Sequence, residues 1–345
     1  MPLHHPHHVL RPIGWDDARA AELDALGDPS LRPARCARVD RGGLLALAPE
    51  GPLALRRSVP MAAGDWLALS GGTVAHVLAR RGTVARRAPG RAAGQQAIAV
   101  NVDVLVAVLG FDRPLRFGRL RRALALAAQG GTAAAVALTK ADLADDPDGV
   151  RRAVAAAAPG VPVLVVGARE GAGVAEVAAL AAPDRTIALL GESGAGKTTL
   201  TSALTGIDRA TGAVRSGDAK GRHVTTAREL LPLPGGGAIV DTPGLRELGV
   251  AAGAVEAAFP DVAELARGCR YRDCRHAGEP GCAVRAAAAA GLIAEERVEA
   301  LEALRREAES LELRMDARGR RQAERRFGRQ AREAVRERRR RRGDA

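Results

Sequence analysis

The run Gly191-Glu192-Ser193-Gly194-Ala195-Gly196-Lys197-Thr198 restricts what this chain can fold into more than any other stretch. It follows an apolar run, Ile187 to Leu190, precedes a helix-forming segment, Thr199 to Leu204, and fits the pattern G-x-x-x-x-G-K-[ST]. The glycines let backbone N–H groups curl around the phosphates of a nucleotide. Lys197 carries charge to the β/γ oxygens, and Thr198 offers a hydroxyl to Mg2+. The helix that follows, with Thr199 in its first turn, presents its positive end to the same phosphates. The alternative is a glycine-rich turn that matches by chance.

The surrounding pattern supplies the setting such a loop needs. Val102 to Leu109, Ala133 to Leu138, Val161 to Val166 and Thr186 to Leu190 read as buried strands; Gly118 to Gln129, Gly149 to Ala158 and Gly173 to Ala182 read as the helices between them. Continuous apolar strands alternating with amphipathic helices predict a parallel sheet covered on both faces. Two further β-like runs, Arg228 to Leu233 and Gly237 to Val240, close this α/β domain.

Thr139-Lys140-Ala141-Asp142 stands at the end of a predicted strand. There the Asp142 carboxylate can accept from N1–H and the 2-amino group of guanine, which adenine does not offer, while the Lys140 stem lies over the ring. GTP and GDP are therefore the expected ligands. Asp241-Thr242-Pro243-Gly244 fits a D-x-x-G element, with Asp241 holding Mg2+ through water and the Gly244 N–H meeting the γ-phosphate. In the polar loop Gly221-Arg222-His223-Val224-Thr225-Thr226, Thr225 supplies the second Mg2+ hydroxyl, with Thr226 as the alternative. Gly167-Ala168, after the strand Val161 to Val166, takes the place of a second guanine-contacting loop. In ordinary GTPases the guanine-reading motif follows the phosphate loop; here it comes first, so the domain reads as circularly permuted.

The ends of the chain read differently. From Ala34 to Arg87, five short β-like runs separated by Gly42-Gly43 and Gly71-Gly72 predict an OB-like barrel: Arg35 to Asp40, Leu44 to Ala48, Asp65 to Leu69, Thr73 to Leu78 and Thr83 to Arg86. Trp15 to Gly27 reads as a short helix ahead of it. Cys269, Cys274, His276 and Cys282 offer three thiolates and one imidazole, the complete donor set of a closed structural Zn2+ site. Cys36 reads as a small buried residue. A helix is expected from Leu292 to about Arg314, and beyond Asp316 the chain is almost continuous arginine. The net charge of +12 points to a polyanionic partner, nucleic acid first. Its only lysines are Lys140, Lys197 and Lys220, two of them in the nucleotide motifs. Neither a leader-like segment nor an apolar run of ~20 residues is present, so a cytoplasmic protein with no membrane role is expected.

From about Leu31 to Arg314 the chain resembles the ribosome small-subunit-dependent GTPase A family, RsgA type. The resemblance rests on the permuted order, Gly221-Arg222-His223 with two threonines, Leu233-Pro234-Gly235-Gly236-Gly237, Asp241 through Glu247, and Cys269-Arg270-Tyr271-Arg272-Asp273-Cys274 through Glu279-Pro280-Gly281-Cys282. It implies a bacterial GTPase that binds the 30S subunit and its 16S rRNA late in assembly, is stimulated by the subunit, and checks or matures the decoding region. The family usually has Thr at the position of Val224 and Ser-Ala at that of Gly167-Ala168. Leu245 stands where many GTPases carry a water-orienting Gln; His223 is the candidate for that role, supported by the resemblance, beside Lys197 and Thr198.

The expected architecture is multidomain: an N-terminal extension over 1–30, an OB-fold-like barrel over 31–92, and a circularly permuted α/β phosphate-loop GTPase domain over 93–258. A zinc-binding helical domain over 259–315 and an Arg-rich tail over 316–345 complete it. A monomer is expected. The competing functions are an ATP-dependent phosphotransferase and a zinc-containing RNA-binding protein with a weak nucleotide site.

Overall fold

Asp16 starts the first α-helix of the computed structural model, which describes residues 6–40, 42–57, 59–87, 95–208, 228–241, 255–310 and 313. Its carboxylate accepts from the Arg19 amide at 2.7 Å and caps helix α1, Asp17–Asp24. The described residues fall into two compact units, one within 1–85 and 97–248, the other within 86–96 and 249–345.

In the first unit, strands β1 (Arg32–Val39), β2 (Gly43–Ala48), β3 (Gly51–Arg56), β4 (Trp66–Ser70) and β5 (Thr73–Val77) pair antiparallel in the order β3-β2-β1-β4-β5. These strands make a curled antiparallel sheet where the barrel is expected, and β3 and β5 approach one another without a ladder between them among the described residues. Strand β3 is not among the expected strands, and it opens on Gly51-Pro52, a pair common in turns. It tolerates Pro52 because it lies at the edge of the sheet, where a missing N–H leaves no ladder bond unmade. Strands β6 (Thr83–Arg87) and β7 (Gln95–Val100) form a separate two-stranded sheet.

The α/β part follows the expected alternation. Strands β8 (Val104–Gly110), β9 (Ala133–Thr139), β10 (Val163–Val166), β11 (Thr186–Gly191) and β13 (Ala238–Asp241) run parallel in the order β10-β9-β8-β11-β13. Helices α2 (Phe117–Gln129), α3 (Pro147–Ala157), α4 (Val174–Ala179) and α5 (Lys197–Thr205) connect and cover them. Val104, Val106 and Val108 share one core cluster with Ile187, Leu189 and Leu200, while Leu105 and Ala107, pointing to the opposite face, are buried too. Burial on both faces accounts for strands that are apolar throughout rather than alternating. Each Val, Leu or Ile removed from water contributes about 1.5–3 kcal/mol.

Strand β12 (Glu229–Pro232) pairs antiparallel with β13 and meets β1 through Arg38 opposite Glu229. The sheet therefore runs on from the α/β strands into the N-terminal ones. A second tie is polar and buried. Arg35, on β1 and 1% exposed, donates to Thr186 Oγ1 at 2.7 Å, to the Asn101 carbonyl at 3.2 Å and to the Ile13 carbonyl. Its guanidinium also stacks 4.9 Å from the Trp66 ring. Burial pushes its pKa down to about 9, with the Asp103 carboxylate opposing, so it stays protonated at neutral pH.

The second unit holds helices α6 (Pro260–Ala266), α7 (Ala283–Ala289) and α8, which spans 295–310 within the expected Leu292 to Arg314 stretch. Arg297 from α8 pairs with Asp261 of α6 at 2.6 Å and lies 5.1 Å from the buried ring of Phe259. Among the described residues, no helix is long and apolar enough to cross a membrane.

Candidate nucleotide and metal sites

The phosphate loop joins β11 to α5 and is shaped by close backbone approaches. A Cβ on Gly191 would lie 2.5 Å from the Val108 carbonyl oxygen of the neighbouring strand, so no larger residue fits without moving β8. Gly196, at φ +87°, turns the chain into α5 with no side chain capping the helix. The N-cap thus offers the first amides of α5 no side-chain acceptor, the condition under which a helix start receives an anion. Lys197 folds over the loop, its Nζ donating to the carbonyls of Gly191 at 2.9 Å and Glu192 at 2.7 Å. Burial lowers the pKa of this ammonium, and the Asp241 carboxylate, on the strand next to β11, opposes the shift. A polyphosphate beside Lys197 would act in the same direction as Asp241.

The candidate base-contacting residues arrive from three separated segments. Lys140 and Asp142 after β9, Ala168 and Arg169 after β10, and Gly196 and Thr199 from the phosphate loop line one cavity of about 180 Å³. Asp142 is exposed to it, and Lys140 sits in the left-handed region at φ +61°. Thr139 is buried and donates its hydroxyl to the Ala195 carbonyl at 2.6 Å. Gly167 bonds back to Ala172 through its N–H at 3.0 Å, closing the turn that presents Ala168. Thr198 is half-buried in the first turn of α5, between Lys197 and Thr199. Ser193 and Gly194 are exposed on the loop. His223, Thr225 and Gly244 lie outside the described residues.

In the second unit, Cys269, Cys274, His276 and Cys282 bring their donor atoms within 4.8 Å of one another. His276 Nδ1 stands 3.5 Å from Cys282 Sγ and 3.7 Å from Cys269 Sγ. A tetrahedral zinc ion with its usual Zn–S and Zn–N lengths separates such donors by about 3.5–3.8 Å, so the arrangement fits. Burial lowers the pKa of His276, reinforced by Arg305, which keeps the imidazole neutral as a ligand must be. Cys282 caps α7, its Sγ accepting from the Arg285 amide at 3.4 Å. Arg285 Nε donates to the His276 carbonyl at 2.6 Å. Glu279 accepts from the amides of Arg275 and Ala277 at 2.8 Å each, and these N–H groups, Arg275 first, hold its pKa down at about 2.

The sequence profile of the family described as RsgA GTPase matches residues 77–251. A Streptomyces coelicolor protein named small ribosomal subunit biogenesis GTPase RsgA is 41% identical over 340 residues, covering 92% of this chain and 91% of its own length. This chain belongs to the RsgA GTPase family. A Xylella fastidiosa (strain 9a5c) protein of the same name is 41% identical over 315 residues, covering 84% of this chain and 91% of that relative.

The fold agrees with that membership. The crystal structure of YjeQ from Thermotoga maritima superposes with a TM-score of 0.64 at 22% identity, covering 81% of this chain and 98% of that one. The structure of YloQ, titled a circularly permuted GTPase, superposes with a TM-score of 0.63 at 21% identity, covering 81% and 96%. In the RsgA-type order the candidate base motifs after β9 and β10 precede the phosphate loop in the chain, and β10, β9, β8 and β11 stand in one continuous parallel sheet.

Several residues packed around these sites carry no sequence signal of their own. Asp112 pairs with Lys140 at 2.8 Å, and Arg113 bonds to the Ser193 carbonyl at 3.5 Å. Arg119 of α2 pairs with Glu192. Each is an ordinary charged residue in the sequence and acquires a role only from the strand order that brings it to the loop.

Proposed function

We propose that this chain hydrolyses GTP in late maturation of the small ribosomal subunit, with the 30S subunit stimulating turnover. The observation that carries the reading is the single cavity shared by Lys140, Asp142, Ala168, Arg169, Gly196 and Thr199. In this reading Asp142 reads the guanine edge, the Lys140 stem lies over the ring, and Gly167 and Ala168 contact the base through the backbone. Gly191 to Thr199 hold the phosphates.

Thr198, Asp241 and Thr225 are the proposed Mg2+ partners, and the Gly244 amide meets the γ-phosphate. Bound Mg2+ supplies charge to the β- and γ-phosphate oxygens. His223 orients the attacking water when the subunit is bound, since Leu245 lacks the polar group for it. One structural Zn2+ ion on Cys269, Cys274, His276 and Cys282 stabilises the second unit, leaving no coordination position for catalysis.

The remaining assignments follow: an OB-like barrel over 31–92, a GTPase domain over 93–258, a zinc and helical domain over 259–315, 16S rRNA as the polyanion met by the arginine surplus, and a cytoplasmic monomer. The deciding experiment measures phosphate release from GTP with and without 30S subunits, with ATP as competitor. Stimulation by the subunit and no competition by ATP are expected. ATP turnover, or no turnover with subunits present, would overturn the reading.

A further inference from the structure

Three segments far apart in the chain meet beside the phosphate loop through one carboxylate. Asp112, just past β8, receives Lys140 Nζ at 2.8 Å on Oδ2, Arg113 Nη2 at 2.8 Å on the same oxygen, and Arg113 Nε at 3.3 Å on Oδ1. Arg113 in turn reaches the Ser193 carbonyl at 3.5 Å and comes within 3.9 Å of Glu192 Oε2. The guanidinium lies so near the loop that a Cβ on Gly194 would stand 3.2 Å from Arg113 Nη2. The result is a chain of alternating charges, Lys140, Asp112, Arg113 and Glu192, running from the base cavity to the phosphate loop.

A lysine is a point charge on a flexible four-carbon stem, and the stem lies in one direction only if the ammonium is held at its far end. Lys140 lines the base cavity, its backbone is fixed in the left-handed region, and its ammonium is held by Asp112. We propose that Asp112 is a positioning residue for nucleotide binding: it holds Lys140 across the base cavity and, through Arg113, ties that lysine to the Ser193 turn of the phosphate loop. Base contact and phosphate contact are then set by one shared anchor. The inference rests on reading the cavity as a guanine-nucleotide site.

The test uses the full-length protein, fluorescent GDP titration, and the variants Asp112→Asn, Lys140→Ala and their combination. Asp112→Asn is expected to weaken GDP binding roughly 5- to 20-fold, the range for a charged hydrogen-bond partner discounted for partial exposure. On the Lys140→Ala background it is expected to add less than about twofold, because the two act as one unit. At saturating GTP the subunit-stimulated kcat should stay within about twofold of wild type while KM rises, the mark of a lost binding contact. Asp112→Glu should recover part of the affinity. Arg113→Gln, on an exposed side chain, gives an independent reading with an expected loss of about 2- to 5-fold.

Unchanged GDP affinity in Asp112→Asn would overturn the proposal. So would losses that multiply in the double variant, which would make Asp112 a local folding residue instead. If the wild-type protein itself bound no GDP, the reading of the site would fall, and the inference with it; wild-type binding with an unaffected Asp112→Asn would sink the inference alone.

Discussion

Thr139 and Ala195 are joined by a 2.6 Å hydrogen bond, hydroxyl to carbonyl, with both residues buried. The bond fastens the end of the strand carrying Lys140 and Asp142 directly to the phosphate loop, across 56 residues of chain. In a permuted domain this matters, because the two motifs are held in place by neighbouring strands rather than by the order in which they are translated.

Thr139→Val keeps the side-chain shape and removes the donor, leaving the Ala195 carbonyl buried without this partner. The expected cost is about 1–3 kcal/mol of stability, the penalty for an unsatisfied buried polar group. GDP affinity should fall with it, since the loop loses its anchor. Urea unfolding and GDP titration of the same preparation check both effects.

Arg35→Met tests the polar tie between β1 and β11. It fills similar volume but leaves Thr186 Oγ1 and the carbonyls of Ile13 and Asn101 without this donor. A loss of about 3 kcal/mol or more is expected, as for removing one member of a buried charged network. Thermal unfolding of the first unit should shift down, while zinc content should not change.

Zinc should be present at one equivalent per chain by elemental analysis, and Cys274→Ala should lose it. Cys36→Ala should keep it. Cys36 lies buried on β1, where burial, with Asp65 nearby, pushes its thiol pKa up to about 12, so it offers no thiolate at neutral pH. Chelation of the wild-type protein should reproduce the Cys274→Ala loss of helical signal, because α7 starts on Cys282.

Asp112 gives a pH signature. The Arg113 guanidinium, with Lys140 beside it, holds the carboxyl pKa down at about 2 against an ordinary 3.8. A depressed carboxyl adds stability that is complete above the unfolded value and is lost as pH falls through the folded one. The difference in unfolding free energy between wild type and Asp112→Asn should therefore be flat from pH 8 to about 4, at no more than about 1 kcal/mol because solvent screens this exposed pair, and shrink below pH 3.8. Urea titrations across that range measure it; a difference that is already shrinking at pH 6 would contradict the pairing.

Much of the site is legible in the amino-acid sequence. Gly191 to Thr198 and Thr139 to Asp142 are recognisable because their chemistry is local: a loop that wraps phosphate needs glycines at fixed offsets, and a guanine reader needs a carboxylate just past a strand. Cys269 to Cys282 is legible for the same reason, since a tetrahedral ion accepts few donor sets. Strand β3 is not, because Gly51-Pro52 reads as a turn until an edge position in the sheet makes it harmless.

The sequence by itself determined the candidate ligating groups, the parallel α/β character of the central segment and the reversed order of its motifs. The tertiary structure alone decided who touches whom. Asp112 meets Lys140 because the sheet order places the end of β8 between β9 and β11, and Arg35 meets Thr186 across 151 residues although β13 and β12 lie between β11 and β1 in the sheet. A charged side chain reads as solvated in any sequence; its partner is fixed by which strands become neighbours, and that follows from burying the apolar faces of the whole sheet at once.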